Sequence, residues 1–151
     1  MMRIAVDTNV LVYAHGGNDP VRQRLALDVL DALAGHCVLV PVQVLGELFN
    51  VLTRKARWPK EQARDVVLST HDNLPTIETS FSMLVAAVDL CVVHGFSTWD
   101  AVVLSAAAEA DCRLLLSEDM HDGFVWRGMT IVNPFAAERH PLLQQALVQS
   151  G

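Results

Sequence analysis

What the chain lacks narrows it first. No apolar run reaches the roughly 18 to 20 residues that a membrane span needs, and an aspartate follows the opening Met-Met-Arg-Ile-Ala-Val too early for a secretory leader. The three cysteines, Cys37, Cys91 and Cys112, are an odd number with no pair at metal-ligand spacing, which excludes a disulfide framework and a thiolate metal centre. Each lies in an apolar stretch and is expected as a buried thiol packed like a small hydrophobe. Gly16-Gly17 is not a phosphate-binding loop, because neither the wider glycine pattern nor a lysine accompanies it. The six histidines form no spaced ligand set. Basic charge is also scarce: 11 Lys and Arg stand against 17 Asp and Glu, a net charge of -6. Such a balance disfavours a protein living by non-specific contacts with a nucleic-acid backbone. It leaves room for an enzyme acting on nucleic acid through carboxylate-bound cations.

What remains is a globular composition, 52% hydrophobic and 19% charged, in 151 residues. That length suits one domain, with a core over about residues 3–135 and a short C-terminal tail. A soluble cytoplasmic protein is the expectation.

Hydrophobic periodicity supplies the elements. Ile4-Ala-Val6 reads as a buried strand that runs abruptly into Asp7-Thr-Asn9, followed by a short apolar turn or helix to Ala14. Asp19 before Pro20 is a helix start, and Val21, Leu25, Val29 and Leu33 carry that helix to Ala34. Strands are expected at Cys37–Val40, Leu74–Ile77, Cys112–Leu116 and Thr130–Val132. Helices are expected at Val42–Arg54, Pro59–Ser69 and Thr79–Val93, and from Ser97 through an alanine-rich run to Ala110. The tail from Pro141 to Gly151 reads as a short helix or a frayed end. Strands alternating with helices predict an α/β fold: a short, mostly parallel central sheet flanked by helices as an α/β/α sandwich.

Ligands gather at the carboxyl ends of strands in open α/β sheets. Asp7 and Asp119 lie just beyond expected strand ends. Asp100 falls in the first turn of the helix leading to the strand before Asp119, and Glu47 falls one turn into the helix after the second strand. All four can therefore reach one rim, where hard cations such as Mg²⁺ or Mn²⁺ take oxygen ligands. Ser97 as a cap would put Asp100 at the third helical position, a weak capping box. Gln43, Glu47, Asn50 and Arg54 line one face of their helix, an arrangement that solvation alone also explains.

Val6-Asp-Thr-Asn9, Glu47, Ser97-x-Trp-Asp100 and Leu116-Ser-Glu-Asp119, in this order and over Ile4 to about Phe135, resemble the PIN-domain ribonucleases. The likeness is greatest to the small VapC-type toxins of bacterial toxin–antitoxin pairs. The resemblance implies a PIN-like domain over 1–151 that hydrolyses RNA phosphodiester bonds. In that reading Asp7, Glu47, Asp100 and Asp119 surround one or two Mg²⁺ or Mn²⁺ ions. Asp7, Asp100 and Asp119 are the chief ligands, and Glu47 holds a water or serves a second ion. Thr8 or Asn9 steadies the loop behind Asp7, Ser117 orients the late loop, and Asp122 matches an occasional additional acid. Glu118 is expected to point away, and Asp65, Asp89 and Asp111 to be surface charges. His121, between Asp119 and Asp122, is of a residue type that can transfer protons near neutrality, a role the resemblance does not assign. Arg54 is the foremost candidate for the RNA backbone, with Arg57 and Lys55 behind it.

The resemblance also implies an antitoxin, whose tail places a basic side chain among the acids, and a homodimer. A mean hydropathy of +0.31 suits either buried interfaces or a well-filled core. Val42–Lys60 and Thr79–Val93 are the candidate interfaces, with Trp58 as an exposed anchor or a packed junction residue. Two rivals remain: a DNA or structure-specific nuclease of the same fold, and a non-catalytic PIN-like binding or regulatory module. Phosphotransfer through Asp7 is disfavoured, because Asn9 stands where a second carboxylate is wanted. No nucleotide cofactor is expected, since the first strand meets no glycine-rich turn.

Overall fold

In a computed structural model, residues 1–149 are described, and they form a six-stranded sheet in the order β3-β2-β1-β4-β6-β5. The strands are β1 (Arg3–Val6), β2 (Cys37–Pro41), β3 (Thr76–Ile77), β4 (Leu114–Leu116), β5 (Val125–Trp126) and β6 (Met129–Val132). The helices are α1 (Thr8–Ala14), α2 (Pro20–Ala32), α3 (Val42–Arg54), α4 (Lys60–Asn73), α5 (Phe81–His94), α6 (Thr98–Glu109) and α7 (Pro141–Gln149). Every strand pair is parallel except β5 with β6. No described helix is long and apolar enough to cross a membrane.

The central strands read as unbroken apolar runs because helices cover both faces of a parallel sheet. Ile4, Ala5 and Val6 and all of Leu114–Leu116 are buried. The helices have definite start and stop signals, of which Asp19 was expected and Ser80 was not. Asp19 caps α2 by accepting from the Arg22 backbone N–H at 3.0 Å, Ser80 caps α5 through the Met83 N–H, and Gly95 ends α5 in the left-handed region at φ 73°. Ser97 does stand at the cap of α6 with Asp100 at the third position, but its side chain makes no capping bond. Helix α6 is buried from Ala101 through Ala108. Small alanines let it lie close against the sheet and against α5.

Several boundaries differ from expectation, each for a local reason. The polar triplet after β1 is no loop: Asp7 is an N-cap, accepting from the Thr8 N–H, so α1 begins at once. Helix α4 runs one turn past Ser69 because Thr70 and Asn73 return their side chains to the carbonyls of Val66 and Ser69. Strand β5 was not anticipated. It pairs with β6 across a turn in which Arg127 (φ 49°) and Gly128 (φ 79°) are both left-handed, the geometry of a two-residue hairpin. Of the cysteines only Cys112 is buried, and burial pushes its thiol up to about 12. Cys37 and Cys91 are half-buried against the core rather than enclosed. The expected C-terminal helix is present to Gln149, and the rest of that segment lies outside the described residues.

This topology fixes one crevice. From β1 the chain winds outward through β2 and β3, then returns to the other side of β1 as β4. The strand order therefore reverses between β1 and β4, and the space beyond their carboxyl ends is the switch point where ligands of α/β folds lodge. Val6 is in register with Leu116, so the next residues, Asp7 and Ser117, emerge side by side.

Candidate active site

Asp7 anchors the crevice. Its backbone N–H continues the ladder to Leu116 O at 2.9 Å, and the residue is only 5% exposed. Oδ2 accepts from Ser117 Oγ at 2.7 Å and Oδ1 from the Thr8 N–H at 2.8 Å. Ser117 is itself held by the sheet, donating its backbone N–H to Val132 O at 3.0 Å. Thr8 then turns its hydroxyl to the second acid, donating from Oγ1 to Glu47 Oε2 at 2.6 Å. Gln43, one turn earlier on α3, donates to the other oxygen of Glu47 at 3.4 Å. Asp7 and Glu47, 40 residues apart in the sequence, are thus joined through one threonine.

The remaining acids stand further out. Asp119 is exposed, and one of its carboxylate oxygens accepts from Asn9 Nδ2. Asp100 is half-buried, and its carboxylate makes no hydrogen bond or ion pair with any described residue. Its charge nevertheless reaches both neighbours. Burial first, and then the charges of Asp100 and Glu47, raise the Asp7 carboxyl to about 6 against the two hydrogen bonds that lower it. Asp119 is also raised, chiefly by burial and then by Glu118 and Asp100, while Asn9 and Lys55 pull it down. Asp100 therefore acts electrostatically on both Asp7 and Asp119 without touching either.

No group of three or more His, Cys, Asp or Glu side chains among the described residues stands close enough to make a ready ligand shell. The donor set still fits a hard divalent cation in kind: it is all oxygen, with the innermost carboxylate raised first by burial and then by like charges. Without a counter-charge, such groups lower their energy by standing apart.

The other sequence candidates take definite places. Asp122 is exposed and uses Oδ1 to accept from the Asn133 backbone N–H at 2.8 Å, closing the loop before the hairpin. Glu118 is engaged by Tyr13 Oη at 2.9 Å and Arg22 Nε at 2.7 Å. Arg22 also pairs with Asp19 and lies over the rings of Tyr13 and Phe135. This Tyr13–Arg22–Glu118 cluster was not anticipated, because it joins residues up to 105 apart in the chain. His121, Asp65, Asp89 and Asp111 are exposed. Trp58 is half-buried, edge-on to His15. Arg54 is exposed at the last turn of α3, and Lys55, its neighbour, lines a groove beside Asp119 with Asn9, Tyr13 and Asn18. A wider cleft of about 740 Å³ lies elsewhere among Leu11, Leu30, Val38 and Leu74, and none of the four acids lines it.

A family model described as PIN domain matches residues 4–121. Among solved structures, the chain is similar to VapC20 of Mycobacterium tuberculosis, described as a toxin cleaving the sarcin-ricin loop. The identity is 17%, the TM-score 0.65, and the match covers 77% of this chain and 89% of that one. It is similar to VapBC2 of Rickettsia felis, solved bound to a DNA fragment from their promoter, at 18% identity and TM-score 0.62 over 87% and 98% of the two chains. FitAcB of Neisseria gonorrhoeae is also similar, at 15% identity and TM-score 0.57 over 87% and 98%. No curated protein sequence matches the chain. At these identities the structural likeness carries the fold.

Proposed function

Because the chain belongs to the PIN-domain family, we propose that it is a Mg²⁺- or Mn²⁺-dependent endoribonuclease that hydrolyses RNA phosphodiester bonds, the toxin of a type II toxin–antitoxin pair. The observation that carries this reading is the buried Asp7 carboxylate at the strand-order reversal, fixed by Ser117 and Thr8 and loaded by the charges of Asp100 and Glu47.

In this reading Asp7, Asp100 and Asp119 hold the cation, and Glu47 holds a water or a second ion. A divalent cation bound there supplies Lewis-acid activation of water and neutralises charge on the phosphodiester. The chain's own contribution is orientation. Ser117 and the Thr8 N–H each occupy one oxygen of Asp7, so the carboxylate cannot rotate freely and presents its remaining lone pairs to the crevice. Thr8 couples Glu47 to the same frame, and Asn9 restrains Asp119. Held in this way, the acids need little reorganisation when substrate arrives. Asp122 serves the loop that carries Asp119, and cationic contact with RNA comes from the end of α3, where Arg54 and Lys55 stand.

The partners in this reading are an antitoxin and a second copy of the chain. Support for the dimer comes from α5, whose Phe81, Leu84, Val85, Val88 and Val92 form one exposed apolar stripe. Such a stripe marks an interaction surface.

The test is cleavage of structured and unstructured RNA beside matched DNA, with Mg²⁺, Mn²⁺ or EDTA. RNA cleavage abolished by EDTA and by Asp100→Asn is the expected result. Cleavage of DNA alone would overturn the toxin reading and keep the metal site. No cleavage of any RNA by folded, partner-free protein would leave a binding module.

A further inference from the structure

Beside Asp119, between α1, the turn after it and the end of α3, lies an open groove of about 360 Å³. Its walls include Asn9, Tyr13, Asn18, Lys55, Glu118 and Asp119. The size falls within the roughly 300–1,000 Å³ of sites that hold small ligands. Three features set it apart from an ordinary surface hollow. One is Lys55, whose charge lowers the Asp119 carboxyl although its ammonium makes no hydrogen bond or ion pair with any described residue. The lysine is therefore near the acids and free to meet an incoming anion. Another is the far wall, which is rigid: Glu118 is fixed by Tyr13 and Arg22, and Arg22 is fixed in turn by Asp19. The third is the floor's polar backbone. Gly17 and Asn18, both left-handed at φ 50° and 58°, form a tight turn closed by the Asp19 N–H to Gly16 O at 3.1 Å. Their own N–H groups make no hydrogen bond among the described residues.

Arg54 lines no part of this groove. Arg22, the other cation nearby, is already committed to Glu118 and Asp19.

We propose that this groove is the subsite for the nucleotide flanking the scissile phosphate of an RNA substrate, with Lys55 binding that nucleotide's phosphate. The assignment rests on the ribonuclease reading and adds to it the path of the chain: RNA crosses from the four acids over Asp119 towards α1 and the end of α3. It also accounts for cleavage by an acidic protein, because one unpaired lysine beside the reacting group takes the place of a basic surface. The Tyr13 and Asn18 walls offer the nucleoside a ring edge and an amide, while the held Glu118 repels a second phosphate and keeps the backbone on the Lys55 side.

The experiment measures RNA cleavage with Mn²⁺ for the wild type, Lys55→Ala, Lys55→Arg, Arg54→Ala and the distant Lys60→Ala, over a range of salt. Lys55→Ala is expected to raise KM about tenfold or more, the usual scale for losing a charge-assisted bond, with kcat little changed. It should also make the dependence of log KM on log salt shallower by about 0.7, the value of one phosphate contact to a single strand. Lys55→Arg should restore most of the affinity, and Lys60→Ala should behave as wild type. Mn²⁺ affinity, measured separately, should be no weaker in Lys55→Ala than in the wild type, since the change removes a positive charge beside Asp119. If the wild type cleaves RNA and Lys55→Ala changes neither KM nor the salt slope, or if Arg54→Ala alone raises KM, the groove assignment is overturned and the ribonuclease reading stands. A folded wild type that cleaves no RNA overturns both.

Discussion

The two halves of the acidic crevice are built differently. Asp7 and Glu47 form an inner half: the first is buried, and each carboxylate oxygen of the pair accepts a hydrogen bond, through Ser117, Thr8 and Gln43. Asp100 and Asp119 form an outer half, one bonded only to Asn9 and the other to no described group. The contrast follows from what carries them. Asp7 and Ser117 are fixed by strand register in the centre of a sheet, whereas Asp119 sits on a loop and Asp100 at a helix start whose capping bond is unmade. The inner half is held in place, and the outer half is restrained by fewer bonds.

Several measurements would break or sharpen that contrast. The largest effect is expected from Asp7→Asn, which should lower metal-dependent RNA cleavage by more than about 100-fold, because even losing a partner of a metal ligand costs about 10–100-fold. Steady-state rates at saturating Mn²⁺ would show it. Ser117→Ala and Thr8→Val should each fall within that 10–100-fold range. Asn9→Ala, which restrains only the adaptable half, should cost less than either, and equal losses at Asn9 and Ser117 would erase the distinction.

A smaller effect concerns stability. Asp7 titrates near 6 in the folded chain, above its ordinary 3.8. The proton-linked stability is therefore fully present below about pH 4 and lost as pH rises through about 6. Metal-free protein should be less stable at pH 7 than at pH 5, with Asp119 adding in the same direction. Replacing Asp7 by Asn should remove most of this slope and raise stability at pH 7 by about 2–3 kcal/mol in EDTA. Urea unfolding at the two pH values checks it. The smallest structural effect is at α5: Val88→Glu, on the exposed stripe, should leave folding intact and shift sedimentation from dimer to monomer.

The sheet and most helices were legible because buried parallel strands read as short unbroken apolar runs, while amphipathic helices print their period into the sequence. The four acids were legible for a related reason, since their positions just past strand ends or at helix starts depend on chain order alone. The links between them were not. Thr8 to Glu47 spans 39 residues, and both Asn9 to Asp119 and Ser117 to Asp7 span 110, so each depends on register and rotamer. Strand β5 escaped notice because two residues carry too little period, and its mark is the unusual left-handed Arg127. The end of α3 shows the same limit. Helical spacing singled out Arg54 on the face of Glu47, while the groove by Asp119 is lined by Lys55, where the helix is already ending.

The most direct test of the account is Mn²⁺ binding to the wild type and to Asp100→Asn, followed by calorimetry with and without a non-cleavable RNA. The account predicts that the wild type binds Mn²⁺, that RNA tightens it, and that Asp100→Asn weakens it at least tenfold without loss of fold. A wild type that binds no Mn²⁺ even with RNA present, or a variant that binds it equally well, would contradict the claim that a cation draws these four carboxylates into one site.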